Sequence, residues 1–312
     1  MAIPRFADLP ITADAPPHSS WGVFGRNDQR GTLNFLSDER RLEAARSIRR
    51  GRAFSLDLPL NLPYPPMFAS RTALRHTVLH RPGTFGRDDV LDNFHLQGST
   101  QWDALKHISH PEYGFYNWAD DVTITADVPR LGVQNYALEG IVGRGVLLDA
   151  ARYFEQQGTP LQPDAHRDIR ADELDAVART QGVEVQPGDI VLLRTGVARL
   201  IHAEAAHPDT AVRPYPGGPG LAAEDASLAW LWDHQVAAIA SDNLTVEAFP
   251  MARDSLHRRG IALLGMVFGE LFDFEALADD CAADGQYVCF FTSKPLNLTG
   301  GVGSPGNALA IK

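Results

Sequence analysis

Gln97, Gln101, Asp103 and His107 fall within the eleven residues QGSTQWDALKH, a polar segment that carries a carboxylate, an imidazole and two amides. Residues four apart share a face of a helix, and residues two apart share a face of a strand. On that spacing Asp103 pairs with His107, and Gln97 and Gln101 pair with each other. Gln101 and Asp103 would sit side by side in an extended stretch. The segment is predicted to run from a strand end into a helix start, with its polar groups converging. A carboxylate is a hard oxygen ligand for divalent cations, and a neutral imidazole can ligate or move protons. The alternative is a solvated Asp–His pair on a surface turn. Trp102, Ala104, Leu105 and Ile108 around it suggest partial burial, where an unpartnered Asp is costly. Gln97 and Gln101 can offer a carbonyl oxygen to a metal or hydrogen-bond a substrate or the backbone. His95, two residues earlier, is read as structural.

A second candidate cluster is His257 and, thirteen residues on, Glu270, which ends the apolar run Ile261–Glu270. A carboxylate in such a run needs a cation, a metal or a hydrogen-bond donor. An arginine partner and a metal are both open at this point. Asp242 follows the apolar stretch Val236–Ala240, and strand ends of α/β sheets gather ligands. Gly300 to Asn307 is glycine-rich but lacks the Lys-Ser/Thr ending of a phosphate loop. There is no G-x-S-x-G, C-x-x-C or H-E-x-x-H pattern, which disfavours serine hydrolases and the common zinc signatures.

The elements that must position these residues read as α/β. Helices are expected at 38–50, with Ser37 or Asp38 as cap and Leu42, Ala45 and Ile48 as the inward stripe, then to Gln157, at 172–182, 222–234, near Ser255 and at 275–284. Strands are expected at 54–58, 77–80, 146–148, 190–193, 236–240, 261–264 and 287–292. Strands alternating with helices point to one α/β domain, 38–312, preceded by an irregular arm, 1–37. The formal net charge of -11 over 312 residues, with no basic tract, argues against nucleic acid. No apolar run reaches membrane-spanning length, no signal peptide is read at the N-terminus, and the two cysteines fit a reducing compartment, so a soluble cytoplasmic protein is expected.

Taken together these segments resemble the cyclase family of metal-dependent hydrolases, which includes bacterial kynurenine formamidase and isatin hydrolase. Trp21-Gly22, Gly25, Asp28 and Gly31-Thr32-Leu33-Asn34 look like its W-G-x-x-G-x-x-D-x-x-G-T-L-N arm. Leu96 to His107 falls on its H-x-G-T-H-x-D-x-P-x-H motif. His257 to Glu270 looks like its second metal segment, and Leu298 to Ala308 resembles its closing G-G-x-G-S-P-x-N-A loop. Gln97 and Gln101 stand where the motif has two histidines, as in a branch reading L-Q-G-x-T-Q-W-D-A-L; Ser99 replaces a glycine and Leu105 a proline.

The resemblance implies a mixed sheet flanked by helices, the swivelling β/α/β fold. It implies Asp103, His257 and Glu270 as metal ligands, with Gln97 and Gln101 at the remaining ligand positions, and His107 as the proton-handling residue. The implied cofactor is a divalent metal, Mn2+ or Zn2+, and two amides in place of imidazoles shift the preference toward harder ions such as manganese or magnesium. Loss of one metal, or of all metal, is the alternative. The expected activity is hydrolysis of a C–N or C–O bond in a small cyclic amide, lactone or related carbonyl compound. Trp21, Phe24, Trp102 and Asp242 are expected to line the substrate. The competing reading keeps the fold as a metal-free small-molecule-binding protein or a cyclase/dehydratase. A homodimer or homotetramer, with the arm able to reach a neighbouring site, is also implied.

Overall fold

Continuous apolar runs build the middle of the molecule. The computed structural model describes residues 3–312; residues 1 and 2 of the expected arm lie outside it. In chain order the strands are β1 (Ala53–Ser55), β2 (Arg75–His80), β3 (Arg87–Asp92), β4 (Gln101–Asp103), β5 (Ile141–Asp149), β6 (Arg167–Ile169), β7 (Ile190–Arg194), β8 (Pro219–Leu221), β9 (Ala238–Ser241), β10 (Phe268–Glu270), β11 (Val288–Ser293), β12 (Gly303–Pro305) and β13 (Ala308–Ile311). The helices are α1 (Asp38–Ala45), α2 (Gln134–Ala137), α3 (Ala150–Gln156), α4 (Ala171–Gln181), α5 (Val197–Ala206), α6 (Asp225–Asp233), α7 (Ala262–Leu264) and α8 (Glu275–Asp284).

Among the described residues, nine strands form one mixed sheet in the order β1-β13-β11-β5-β7-β9-β10-β4-β12. Its centre, β5, β7, β9 and β10, is parallel. Every residue of β7 and β9 is buried, as parallel strands covered on both faces require. β11, β13 and β1 extend one side antiparallel, and β4 and β12 extend the other. Parallel strands place their carboxyl ends on one edge, so Asp149, Arg194, Ser241 and Glu270 end their strands along a common rim. Both small pairs, β2–β3 and β6–β8, stand apart from this sheet.

Local sequence explains the elements that match expectation. In α4 Glu173 reaches back to the Arg170 amide at 2.9 Å, Leu174, Val177 and Ala178 are buried, and Gly182 closes the helix at φ 66°. Two expectations differ. Ser37 does cap α1, but the helix ends at Ala45 and only Ala44 is buried; Leu42 is 60% exposed, so the inward stripe does not form. The run at 261–264 is helical, not extended, and the strand comes later, at Phe268–Glu270. A short apolar run does not by itself distinguish the two.

The N-terminal segment lies against the body. Ser20 Oγ donates to the Leu264 carbonyl at 2.9 Å, Trp21 Nε1 to Ala262 at 2.8 Å, and the Thr32 amide to Gly265 at 2.8 Å. Gly31 has φ 56°, and a Cβ there would meet the Gly265 carbonyl oxygen at 1.9 Å. This close crossing straps the chain that begins at His257.

Candidate metal centre

Three elements bring the candidate ligands together. Asp103 ends β4, Glu270 ends β10, and these strands pair so that Glu270 lies opposite Gln101. On β4 the alternation sends Gln101 and Asp103 to one face and Trp102 to the other. His257 opens a single π-helical turn, His257–Ile261, a wide-turn geometry frequent at functional sites. Gly260 lets this turn lie on Phe268: a Cβ there would come within 2.7 Å of the ring.

The result is a buried cluster in which one ligand atom each from Asp103, His257 and Glu270 lies within 4.8 Å of the others. His257 Nε2 is 2.7 Å from Glu270 Oε1 and 3.6 Å from Asp103 Oδ2. Its Nδ1 is 2.6 Å from Glu247 Oε2, and Glu247 also accepts from the His257 amide at 3.3 Å. A carboxylate behind a histidine fixes its ring and leaves the other nitrogen for a metal. Glu247 was not singled out in the sequence. Its signal was available, since it is a lone carboxylate in the stretch Leu244–Phe249 and poses the same question as Glu270.

Gln97 and Gln101 turn their NH2 groups toward carboxylates. Gln101 Nε2 donates to Glu270 Oε2 at 2.5 Å, and Gln97 Nε2 donates to Asp103 Oδ1 and, at 2.9 Å, to His107 Nδ1. The resemblance placed both amides at metal-ligand positions; in the structure their NH2 groups hold the carboxylates of Asp103 and Glu270. Asp103 Oδ2 and Gln101 Oε1 are buried with no hydrogen-bond partner. A buried orphan oxygen costs free energy comparable to a lost hydrogen bond, so two of them at one cluster fit the coordination of a cation. The donor set, two carboxylates and one imidazole with an amide oxygen nearby, suits a hard or borderline divalent ion.

The charges agree with this. Burial drives the Glu270 carboxyl up to about 7, helped by the negative charge of Asp103. Burial opposes the Asp103 carboxylate too, but His107 and His257 hold its pKa below the ordinary value. For His257 burial works against charge, yet Glu247 and Glu270 outweigh it and raise the imidazole well above its ordinary pKa. His107 is the reverse case: burial lowers its pKa despite Asp103. Its Nε2 lies 3.8 Å from Asp103 Oδ2, with the side chain 29% exposed. No helix joins the two residues; a turn after β4, closed by the His107 amide on Ala104, does so.

The expected substrate wall is not assembled from the residues named for it. Trp102 is fully buried on the far face of β4, bonded to Ser293 Oγ at 2.9 Å and packed on Phe272 and Phe291. Trp21 is held by Ala262 and packs on Trp118, and Phe24 packs on Phe35 and Trp232. Asp242 caps the start of α5, accepting from the Thr195 amide and hydroxyl and the Gly196 amide, each at 2.7 Å. The glycine-rich closing loop has a structural task. β12 pairs with β4, Gly303 opposite Asp103, and a Cβ at Gly303 would meet the Gln97 side chain at 2.7 Å.

A mixed sheet with a buried Asp–His–Glu cluster at its rim defines the class of protein. Residues 55–248 match the Cyclase family model, and the chain belongs to that family. A solved structure described as a novel cyclase is 32% identical, with a TM-score of 0.84, over 94% of this chain and 99% of its own. Isatin hydrolase A from Ralstonia solanacearum shares the fold at 18% identity and a TM-score of 0.57, over 89% of this chain and 98% of its own. Isatin hydrolase A from Labrenzia aggregata, bound to benzyl benzoate, does so at 16% identity and 0.55, over 88% and 98%. No curated protein matches the sequence. No described helix is long and apolar enough to cross a membrane.

Proposed function

We propose that the chain is a metal-dependent hydrolase that opens a small cyclic amide, lactone or related carbonyl compound. The observation that carries the reading is the orphaned Asp103 Oδ2, which points into a cluster whose other members, His257 and Glu270, are already oriented by Glu247 and Gln101. A divalent cation held by Asp103, His257 and Glu270 would lower the pKa of water and polarise a carbonyl. The chain's own residues set the rest. Glu247 fixes the His257 ring, Gln101 fixes Glu270, and Gln97 fixes Asp103 and His107 together.

Gln97 also decides which way the proton on His107 points. The atom it offers to Asp103 must be its NH2, and the same nitrogen faces His107 Nδ1. Neutral His107 therefore carries its proton on Nε2, toward the cluster, and offers a hydrogen bond there. Taking a proton from water at Nε2 requires the Gln97 amide to turn over; the imidazolium so formed then protonates the leaving nitrogen or oxygen and returns to its neutral form. The competing, metal-free reading draws on one observation, that a charged His257 closes an ion-pair network with Glu247 and Glu270 by itself.

The fold neighbours named isatin hydrolase make isatin, a ring amide, the first probe, followed by simple lactams and lactones. Manganese-loaded protein is expected to hydrolyse at least one of them, with loss on chelation and recovery on adding manganese back. His107→Ala should lower kcat by about 10²–10⁴-fold, the usual contribution of a proton-transfer residue. Full activity after chelation would overturn the metal role, and full activity of His107→Ala the proton role.

A further inference from the structure

Arg71 has no place in the machinery above. It lies in the chain between β1 and β2, half-buried, and its guanidinium makes no hydrogen bond or ion pair among the described residues. It rests instead on the Phe68 ring, 4.8 Å from the centroid. Phe68 packs edge-on against Phe249, which stacks on Tyr215 at 5.8 Å. These rings belong to a small apolar cluster with Leu58, Leu62 and Leu271, separate from the main core, which gives the loop an anchor of its own. On its other side the loop is tied to the site segment, since the Thr72 amide donates to His95 Nε2 at 3.2 Å, two residues before Gln97.

The guanidinium is thus fixed without being satisfied. It lines a cleft with His95 and Gly98, next to Gln97. The charges of Glu270 and Asp103 act on it, and it acts in turn on His107. Yet it closes on neither carboxylate. The donors of this half-buried cation therefore stay open to a ligand group, on a loop that His95 ties to the segment carrying Gln97 and Asp103. Guanidinium donors form a planar fork that matches a carboxylate with two parallel bonds.

We propose that Arg71 is an anion-binding residue that receives a carboxylate of the ligand opposite the Asp103–His257–Glu270 cluster. The ligands of this site are then small carbonyl compounds that carry a carboxylate or acquire one when a ring opens. The assignment of these ligands as substrates or products rests on the hydrolase reading. Anion binding itself does not, and it is measured without turnover.

The test is calorimetric titration of the protein, as purified and after loading with manganese, with benzoate and with its neutral analogue benzamide. Arg71→Gln should weaken benzoate at least about tenfold, the scale of one lost charge-assisted bond pair, and leave benzamide unchanged. Arg71→Lys should fall between. Because the guanidinium has no hydrogen-bond partner to lose, the melting temperature of both variants should stay within a few degrees of the parent. A benzoate affinity unchanged in Arg71→Gln, an equal fall for benzamide, or no benzoate binding by the parent protein in either state would each overturn the proposal. To separate the two sources of the carboxylate, an intact ring acid, 2-pyrrolidone-5-carboxylate, is compared with its neutral parent, 2-pyrrolidone. A preference for the acid that Arg71→Gln abolishes assigns Arg71 to a carboxylate carried by the substrate. Benzoate binding without that preference assigns it to the carboxylate formed on ring opening.

Discussion

Two stretches of the same sheet rim treat their charges in opposite ways. At the ends of β5, β7 and β9, Arg194 donates to Asp149 at 2.6 Å and, through two parallel bonds at 2.8 and 2.9 Å, to Glu275, while Asp242 accepts three bonds of 2.7 Å and a longer one of 3.5 Å from the start of α5. One strand further along, at β10 and β4, buried oxygens of Asp103 and Gln101 have no partner. Burial is similar in both stretches; satisfaction is not. The first is a closed network that fixes the rim, and the second is open in the way a cation site must be. The contrast also explains why Asp242, at a strand end that favours ligands, is structural: every one of its near donors is backbone or hydroxyl of its own neighbourhood.

Substitutions should therefore act differently in the two halves. Arg194→Ala removes the buried partner that Asp149 and Glu275 share, leaving each with one outer arginine, Arg152 and Arg199, and should cost about 3–5 kcal/mol in urea unfolding. A cost under 1 kcal/mol would mean that the closed half is not what holds this rim. Asp242→Ala strands two backbone amides and a hydroxyl and should cost about 1–3 kcal/mol. Asp103→Asn, by contrast, keeps an acceptor for Gln97 and changes an oxygen that has no hydrogen-bond partner. The metal-free variant should lose about 1 kcal/mol or less, while losing divalent metal. A large loss of metal-free stability would show that Asp103 belongs to a closed network after all.

A smaller effect distinguishes the halves by pH. Burial raises the Asp242 carboxyl to about 6, with the Thr195 bonds offsetting only part of it. The folded state thus binds a proton more tightly than the unfolded chain, whose Asp titrates near its ordinary value. Stability from this group is greatest at low pH and declines as pH rises from about 4 to about 6. Asp242→Asn should flatten that part of the stability profile; an unchanged slope in unfolding measured from pH 4 to pH 7 would contradict the assignment.

How far the sequence could be read follows the same division between local and long-range causes. α4 and α8 were legible because caps, periodicity and closing glycines act within a dozen residues. The polar segment Gln97–His107 was legible as a site, and the pairing of Asp103 with His257 and Glu270 came from resemblance, not from spacing. Its local form was legible in part: a strand end running into a helix was expected, and β4 does end at Asp103 through pairing to β10 and β12, but a turn and not a helix carries the chain on to His107. The roles of the two glutamines depend on which atom faces a carboxylate across the sheet, and Glu247 and Arg71 gain meaning only from partners brought near by the fold. Trp102 was expected, with Trp21 and Phe24, to form an apolar wall at the substrate, whereas strand alternation sends it into the core.

The central claim is that Asp103, His257 and Glu270 together hold one divalent cation. Titrating protein stripped of metal with manganese, and measuring bound metal after dialysis, tests it most directly. The account predicts about one equivalent for the parent and for Gln97→Ala, and less than about a tenth of that for Asp103→Asn and Glu270→Gln. No uptake by the parent, or undiminished uptake by Asp103→Asn and Glu270→Gln, would contradict it.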